Sequence, residues 1–505
     1  MGSMVWERLW MRVKPVVWPR WSWRYVLCCC VATYVAYCTV FSAPALSSKL
    51  PPYTGPYSVG AIDVELPVET RSIHNATFKD GGHPAFQLET VLFTLYYPSD
   101  RDAVPTKPQH FWVPKPLRVT GKGYARVARI SNFVTNALLT LGLWTLVGNT
   151  RIPAHVDVPL HQSPVVQLQL PDFEDYPITH EDGFPVMVFS HGMASSRTQY
   201  TQYVGELASR GIIVAAIEHR DGSGPGTMIM KQGSKPRILH HFDVRHLKSD
   251  SQLDSDTFKQ AQLDFRQAEV EETIRTLEHI NVGGGEEVFV SNSRSEGQYL
   301  HQWEGRLALN NTTMGGHSFG ATLALQTLKQ GPSKLLPFQG AVALDPGKQS
   351  GPLNHDVQVP TLILHSNSWS KSHSIFFGRP HFDVVKDVVQ GVLRRGKDAW
   401  FLTSLGTSHP SVTDAPLIEP WLLRWTTGST IDAHEGVNQY VKVSEKFLRY
   451  QSTGTKRGIL SQCVTHPEYN MEDKNSTASG PLPKEIRKYW QIHVAPCGPE
   501  EEKES

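Results

Sequence analysis

The sequence predicts an α/β fold: a mostly parallel sheet covered by helices on both faces. Three observations carry this. Apolar runs without polar alternation recur at 186–189, 212–217, 312–316, 340–344, 360–364 and 400–405, the pattern of strands buried on both faces. Stretches of helical period lie among them, at 264–280, 319–329, 382–393 and 414–424, so strands alternate with helices. A Gly-X-Ser-X-Gly pentapeptide, Gly316 to Gly320, falls where a strand candidate gives way to a helix candidate. The 505 residues exceed one ordinary domain, but a single α/β domain with insertions absorbs most of them.

In chain order, residues 1–24 form a basic segment, with Arg8, Arg12, Lys14, Arg20 and Arg24 against one acid, Glu7. Residues 25–46 carry no charge, and a spanning helix needs about 20 such residues. Basic flanks stay cytoplasmic, so this reads as a signal anchor with the body of the chain lumenal or extracellular. A signal peptide cut after Ala43-Pro44-Ala45, giving a secreted protein, is the alternative. Translocation admits glycosylation at the triplets starting at Asn75, Asn310, Asn311 and Asn475, and pairing of Cys463 with Cys497. Residues 47–84, rich in Pro and Ser, read as a stalk.

The main domain is expected over 85–460, opening on a β-rich stretch at 88–97. The apolar run 137–147 is too short to span a bilayer and reads as a buried or interfacial helix. A helix with Tyr200, Tyr203, Val204 and Leu207 on one face follows, capped by Ser195 or Ser196 and ended by Gly211. Residues 221–259 read as a looped insertion and 461–505 as a polar tail. With 49 Lys+Arg against 48 Asp+Glu, nothing in the charge favours a nucleic-acid partner.

The pentapeptide supplies the chemistry. A serine at a strained strand-to-helix turn needs small flanking residues, and the following helix points its positive end at the reacting centre. Ser318 is therefore the expected nucleophile. It needs a base, and the base an orienting acid, in the chain order Ser, acid, His. His409 follows the 400–405 strand in a loop, unlike its competitors His355, His365, His373, His381 and His434. Of two strand ends after the elbow, the loop after 360–364 offers no carboxylate, whereas 340–344 ends on Asp345. Asp345 is the expected acid. An oxyanion needs two backbone N–H donors. Phe319, after the nucleophile, gives one; the loop Phe189-Ser-His-Gly-Met193 gives the other, from Met193 or, alternatively, Gly192.

Two further motifs are weighed. His240, His241, Asp243 and His246 have metal-ligand residue types without zinc spacing, so no metal or other cofactor is expected. Glu218-His219-Arg220-Asp221 reads as salt-bridged loop anchoring.

Phe189-Ser-His-Gly192, Glu218-His-Arg-Asp221, Gly316-His-Ser-Phe-Gly-Ala321 and Ala343-Leu-Asp345 together resemble the plasma-type platelet-activating-factor acetylhydrolases, fungal members included, over about 85–425. The resemblance implies an α/β-hydrolase and a calcium-independent serine esterase. Its substrate would be a phospholipid at a membrane surface, from which it removes short or oxidised sn-2 acyl groups. The family's triad and oxyanion donors fall on Ser318, Asp345, His409, Met193 and Phe319. Ala321, where a second Gly is frequent, and the anchor-like N-terminus depart from the family. The rival readings are a general carboxylesterase or triacylglycerol lipase, and a catalytically dead, membrane-tethered binding protein.

Overall fold

The computed structural model describes residues 22–40, 46–162, 183–249, 253–372, 374–470 and 483–497. The basic segment up to Trp21, the Ala43–Ala45 cleavage site, His373 and the Asn475 triplet lie outside them. A helix, α1 (Trp23–Val40), precedes the body and is long and apolar enough to cross a membrane by length and composition.

The body is organised on an 11-stranded sheet. Its principal strands are β1 (Ser58–Phe78), β2 (Pro84–Ser99), β3 (Phe184–Ser190), β4 (Ile213–Ile217), β5 (Leu307–His317), β6 (Gly340–Leu344), β7 (Thr361–Ser366), β8 (Ala399–Ser404) and β9 (Trp490–Val494). They lie in the order β9-β8-β7-β6-β5-β3-β4-β2-β1. Strands β3 to β8 pair in parallel; β9 closes one edge antiparallel, and the β1–β2 hairpin extends the other through antiparallel pairing of β2 with β4.

The lack of alternation in the central strands has a direct cause. In β3, Val186 and Val188 enter one apolar core, while Met187 and Phe189 enter the other; β4 divides Ile213 and Ala215 from Val214 and Ala216 in the same way. Each such buried side chain contributes about 1.5–3 kcal/mol, less for Ala. On the first face pack α5 (Ser255–His279), α6 (Phe319–Gln326) and α7 (His381–Arg394), through Val270, Ile274, Leu323, Val385 and Val388. The second is covered by α4 (Thr201–Ala208) and α9 (Ala433–Thr453), through Tyr203, Leu207, Val441 and Phe447. Strand-to-helix alternation thus brings the C-terminal ends of β3, β5, β6, β7 and β8 to one rim of the sheet.

Several boundaries differ from the sequence reading. The stretch 47–84 is not a stalk: most of it is β1, whose Val59, Ala61, Ile62 and Val64 are buried against β2. Its Pro content misled, yet Pro67 sits in the strand just before a register shift, where a missing donor is tolerated. The segment 461–505 is not simply a polar tail, because β9 supplies an edge strand and a Cys463–Cys497 disulfide secures it. The insertion 221–259 carries a hairpin, Gly226–Ile229 with Arg237–His240, and the first turn of α5. Neither Ser195 nor Ser196 caps α4, which starts after Tyr200 with no side-chain cap. The 137–147 run belongs to α3 (Phe133–Val147), packed on α2 (Leu117–Val127) with Phe133 88% and Trp144 55% exposed. Asn75 and Asn310 are exposed, both within strands.

Candidate active site

Ser318 joins β5 to α6 at φ 55°, ψ −116°, a conformation disfavoured for a side-chain-bearing residue. The turn is tight enough to require its glycines. A Cβ on Gly316 would lie 2.2 Å from the Gly320 carbonyl oxygen, and one on Gly320 would lie 2.0 Å from that of Ser190. Ser318 N–H donates to the Leu344 carbonyl at 2.9 Å, tying the turn to the end of β6.

One residue further along, Asp345 also takes a positive φ, 47°. Its carboxylate reaches across the end of β7, accepting from Ser366 N–H at 2.6 Å and Ser366 Oγ at 2.7 Å. The second oxygen accepts from His409 Nδ1 at 2.9 Å. That bond places the ring proton on Nδ1 and leaves Nε2 as an acceptor. The His409 ring stacks on Trp369, centroids 3.9 Å apart and planes 10° apart, and its backbone N–H donates to Ser368 Oγ at 3.0 Å. The Trp369 indole N–H is itself anchored on the Pro346 carbonyl at 3.0 Å. So the two strand ends that carry the acid and the base are cross-linked by the β7 loop.

The competing histidines are placed elsewhere. His365 is buried within β7, bonded to Ser370; His381 is buried at the start of α7; His355 and His434 are exposed. Asp383 sits in the first turn of α7.

The loop after β3 has a distinctive donor pattern. Gly192 N–H donates to the Tyr200 hydroxyl at 3.1 Å, and Ala194 N–H to the Ser223 carbonyl at 2.9 Å. Between them, Met193 N–H has no hydrogen-bond partner among the described residues, and neither has Phe319 N–H in the first turn of α6. Tyr200 Oη also lies 2.9 Å from His317 Nδ1. His191 Nε2 accepts from His219 N–H at 3.2 Å; burial, then the Arg266 charge, hold its pKa down at about 3, so the ring is neutral.

Glu218-His219-Arg220-Asp221 forms a buried ion-pair frame. Arg197 bridges Glu218 and Asp63, Arg220 pairs with Glu65, and Asp221 with Arg266 at 2.7 Å. His219 lies 2.6 Å from Glu269 and 2.7 Å from Ser190 Oγ.

Of the metal-type residues, Asp243 is engaged with Arg245 and His246 as a local cap. His317, Asp345 and His409 bring one ligand-type atom each within 4.8 Å. Asp345 and His409 spend theirs on each other, the geometry of an acid–base pair.

The sequence reading gives Trp369, Ser366 and Tyr200 no role at the site. The stretch 365–371 lacks a carboxylate, but a carboxylate held by a neighbouring strand needs donors, and Ser366 in that stretch is the available signal.

A strained serine between strand and helix, with an aspartate–histidine pair delivered by the following strand ends, is the arrangement of serine hydrolases with the α/β-hydrolase fold. A family description, platelet-activating factor acetylhydrolase, isoform II, matches residues 43–458, and the chain belongs to this family. It is 27% identical to a platelet-activating factor acetylhydrolase of Cavia porcellus, over 64% of this chain and 61% of that protein. To the Gallus gallus protein of the same name it is 30% identical, over 38% of this chain and 46% of that one. The matched region thus spans less than two thirds of these relatives. Among solved structures, a ferulic acid esterase from Streptomyces cinnamoneus superposes with a TM-score of 0.51 at 17% identity, covering 88% of this chain and 98% of that one, a likeness of fold.

Proposed function

We propose that the protein is a serine esterase that hydrolyses the sn-2 acetyl or short, oxidised acyl ester of phospholipids such as platelet-activating factor. The observation that carries this is the convergence of Ser318, Asp345 and His409 on one rim of the sheet, with Asp345 and His409 hydrogen-bonded at 2.9 Å. Family membership and the names of the relatives support the substrate class.

In this reading His409 Nε2 takes the Ser318 proton as Oγ attacks the ester carbonyl. Asp345 holds the ring in the productive tautomer and stabilises the imidazolium. Met193 and Phe319 N–H groups receive the oxyanion, since the neighbouring Gly192 and Ala194 N–H groups are already engaged. The lyso-phospholipid leaves with the proton from His409. Water, deprotonated by the same nitrogen, then releases the acyl group from Ser318.

We place the enzyme on a membrane, anchored by α1 with the body lumenal or extracellular. The Cys463–Cys497 disulfide supports an oxidising compartment, and Asn75 and Asn310 are exposed for glycosylation. The exposed apolar side chains of α3, and Trp421 and Trp425 on a separate helix, α8 (Pro420–Thr427), support contact with a lipid surface.

The test is hydrolysis of a phospholipid series varied only in the sn-2 chain, with Ser318→Ala as control. Rates highest for acetyl and short oxidised chains, and lost in Ser318→Ala, support the reading. Rates as high on long-chain triglycerides favour a lipase, and turnover surviving in Ser318→Ala removes the mechanism.

A further inference from the structure

Arg266 projects from α5 and is completely buried. Nothing in the triad touches it, yet its guanidinium reaches both sides of the candidate oxyanion site. Nη1 donates to the His191 carbonyl at 2.7 Å and to Ser190 Oγ at 3.2 Å. On the other side, the guanidinium lies over the Phe319 ring, 4.4 Å from its centroid. Nε is fixed by Asp221 at 2.7 Å, and Nη2 donates to Ser223 Oγ at 2.6 Å.

The Ser223 contact closes a bracket. Ser223 N–H donates to Asp221 Oδ1 at 3.0 Å, and the Ser223 carbonyl accepts Ala194 N–H at 2.9 Å. The four-residue loop 191–194 is therefore held at its first carbonyl by Arg266 and at its last N–H by a residue that Arg266 also holds. Met193 lies inside that bracket. Ser190, one residue upstream, is held by His219 and packs so closely on Gly320 that no Cβ fits between them.

We propose that Arg266 is a positioning residue that sets the spacing of the two oxyanion donors, Met193 N–H and Phe319 N–H. The inference rests on the Ser318 esterase reading above. A planar guanidinium is suited to the task, because it presents several donors in a rigid fork and stacks on an aromatic face at once. Lysine offers one point charge and can satisfy Asp221 without spanning His191, Ser223 and Phe319. The oxyanion site would then loosen while the triad stays in place. Losing one donor outright costs roughly 10²–10³ in kcat, and a donor misplaced by an ångström costs up to about 10².

The test uses the full-length protein and two probes, p-nitrophenyl acetate and its thionoester. A thiocarbonyl sulfur is a poor hydrogen-bond acceptor, so the thionoester draws little help from oxyanion donors. The ratio of kcat/KM on the two probes is independent of the fraction of enzyme that is active. Arg266→Lys is expected to lower kcat on the oxoester roughly 10- to 100-fold with little change in KM, and to lower the oxo-to-thiono ratio roughly 10-fold. A folded Arg266→Lys with the wild-type ratio overturns the proposal, whatever its rate. Should that variant lose its melting transition, Ser223→Ala keeps the buried Arg266–Asp221 pair and reads the same quantity. A fall of roughly threefold supports the role and an unchanged ratio overturns it. Wild-type protein without Ser318-dependent turnover would instead sink the esterase reading itself.

Discussion

Replacing Asp345 with Asn separates the roles of its two oxygens. One accepts from Ser366 N–H at 2.6 Å; the other accepts from Ser366 Oγ at 2.7 Å and His409 Nδ1 at 2.9 Å. An asparagine that keeps its carbonyl toward Ser366 N–H turns its NH₂ toward His409. Donor then faces donor, and the imidazole relieves this by moving its proton to Nε2. In that tautomer the nitrogen needed for Ser318 can no longer accept a proton. The fold should persist, because Ser366 Oγ can accept from the amide and asparagine tolerates the 47° φ at this position. We expect kcat to fall on the order of 10⁴-fold, equivalent to about 5.5 kcal/mol of lost transition-state stabilisation. Steady-state hydrolysis of a short-chain ester, with a thermal melt for folding, measures both. Asp383→Asn, in the first turn of α7, should stay near wild type. A folded Asp345→Asn within tenfold of wild type, or a reversal of the two phenotypes, would refute the assignment of the acid.

The remaining predictions use other handles. Chelation of calcium or zinc should leave ester hydrolysis unchanged, because in the proposed mechanism His409 activates Ser318 without a metal; a large loss measured after dialysis against chelator would redirect attention to His240, His241 and His246. Stability should decline on acidification, as read by the melting temperature between pH 7 and 5. Burial holds His191 and His493 at about 3, below the 6.5 of an unfolded chain, so the unfolded state binds protons first as the pH falls through 6.5. Each such histidine then costs on the order of 2 kcal/mol by pH 5, and a melting temperature that rose over this range would contradict the burial argument. Replacing Leu141 and Trp144 by Asp on the exposed face of α3 should reduce hydrolysis on phospholipid vesicles several-fold and spare a soluble ester. Equal losses on both substrates would place α3 outside the lipid contact.

The parallel core was legible because burial on both faces removes polar alternation, leaving runs such as 186–189 and 340–344 that only a covered sheet explains. The edges were not legible by that rule. β1 is buried over Val59–Val64 but then alternates between exposed and half-buried positions, so its second half resembles a polar linker. β9 is recognisable only once Cys463 and Cys497 are joined and Thr403 is seen beside Gln491. The long helix α9 also escaped notice, because its buried face is interrupted by polar residues with their own partners. Gln439 accepts from the Trp490 indole, Ser444 from the Tyr203 hydroxyl, and Glu445 from Arg449. Periodicity in hydrophobicity cannot register a face that is buried through hydrogen bonds.

The same distinction explains which parts of the site could be read. The proposed nucleophile, acid and base, Ser318, Asp345 and His409, are bound to their positions by local chain geometry: a glycine-flanked turn and two strand ends. Those leave marks in sequence at fixed offsets, and elimination among strand ends points to Asp345, the carboxylate that the structure pairs with His409. The contacts that surround them run across long sequence distances. Arg266 touches residues 43, 45, 75 and 76 positions upstream of it, and Ser366 serves an aspartate 21 residues before it. No spacing rule connects them, because the sheet order β6-β7-β8 and the packing of α5 against β2 and β4 create the proximity. A buried arginine is costly unless its donors are used, so its presence at a fully buried position of α5 is itself a physical signal. Arg266 spends donors on Asp221, Ser223, Ser190 and His191 and its π-face on Phe319, which leaves it little freedom to move without moving the loop that carries Met193.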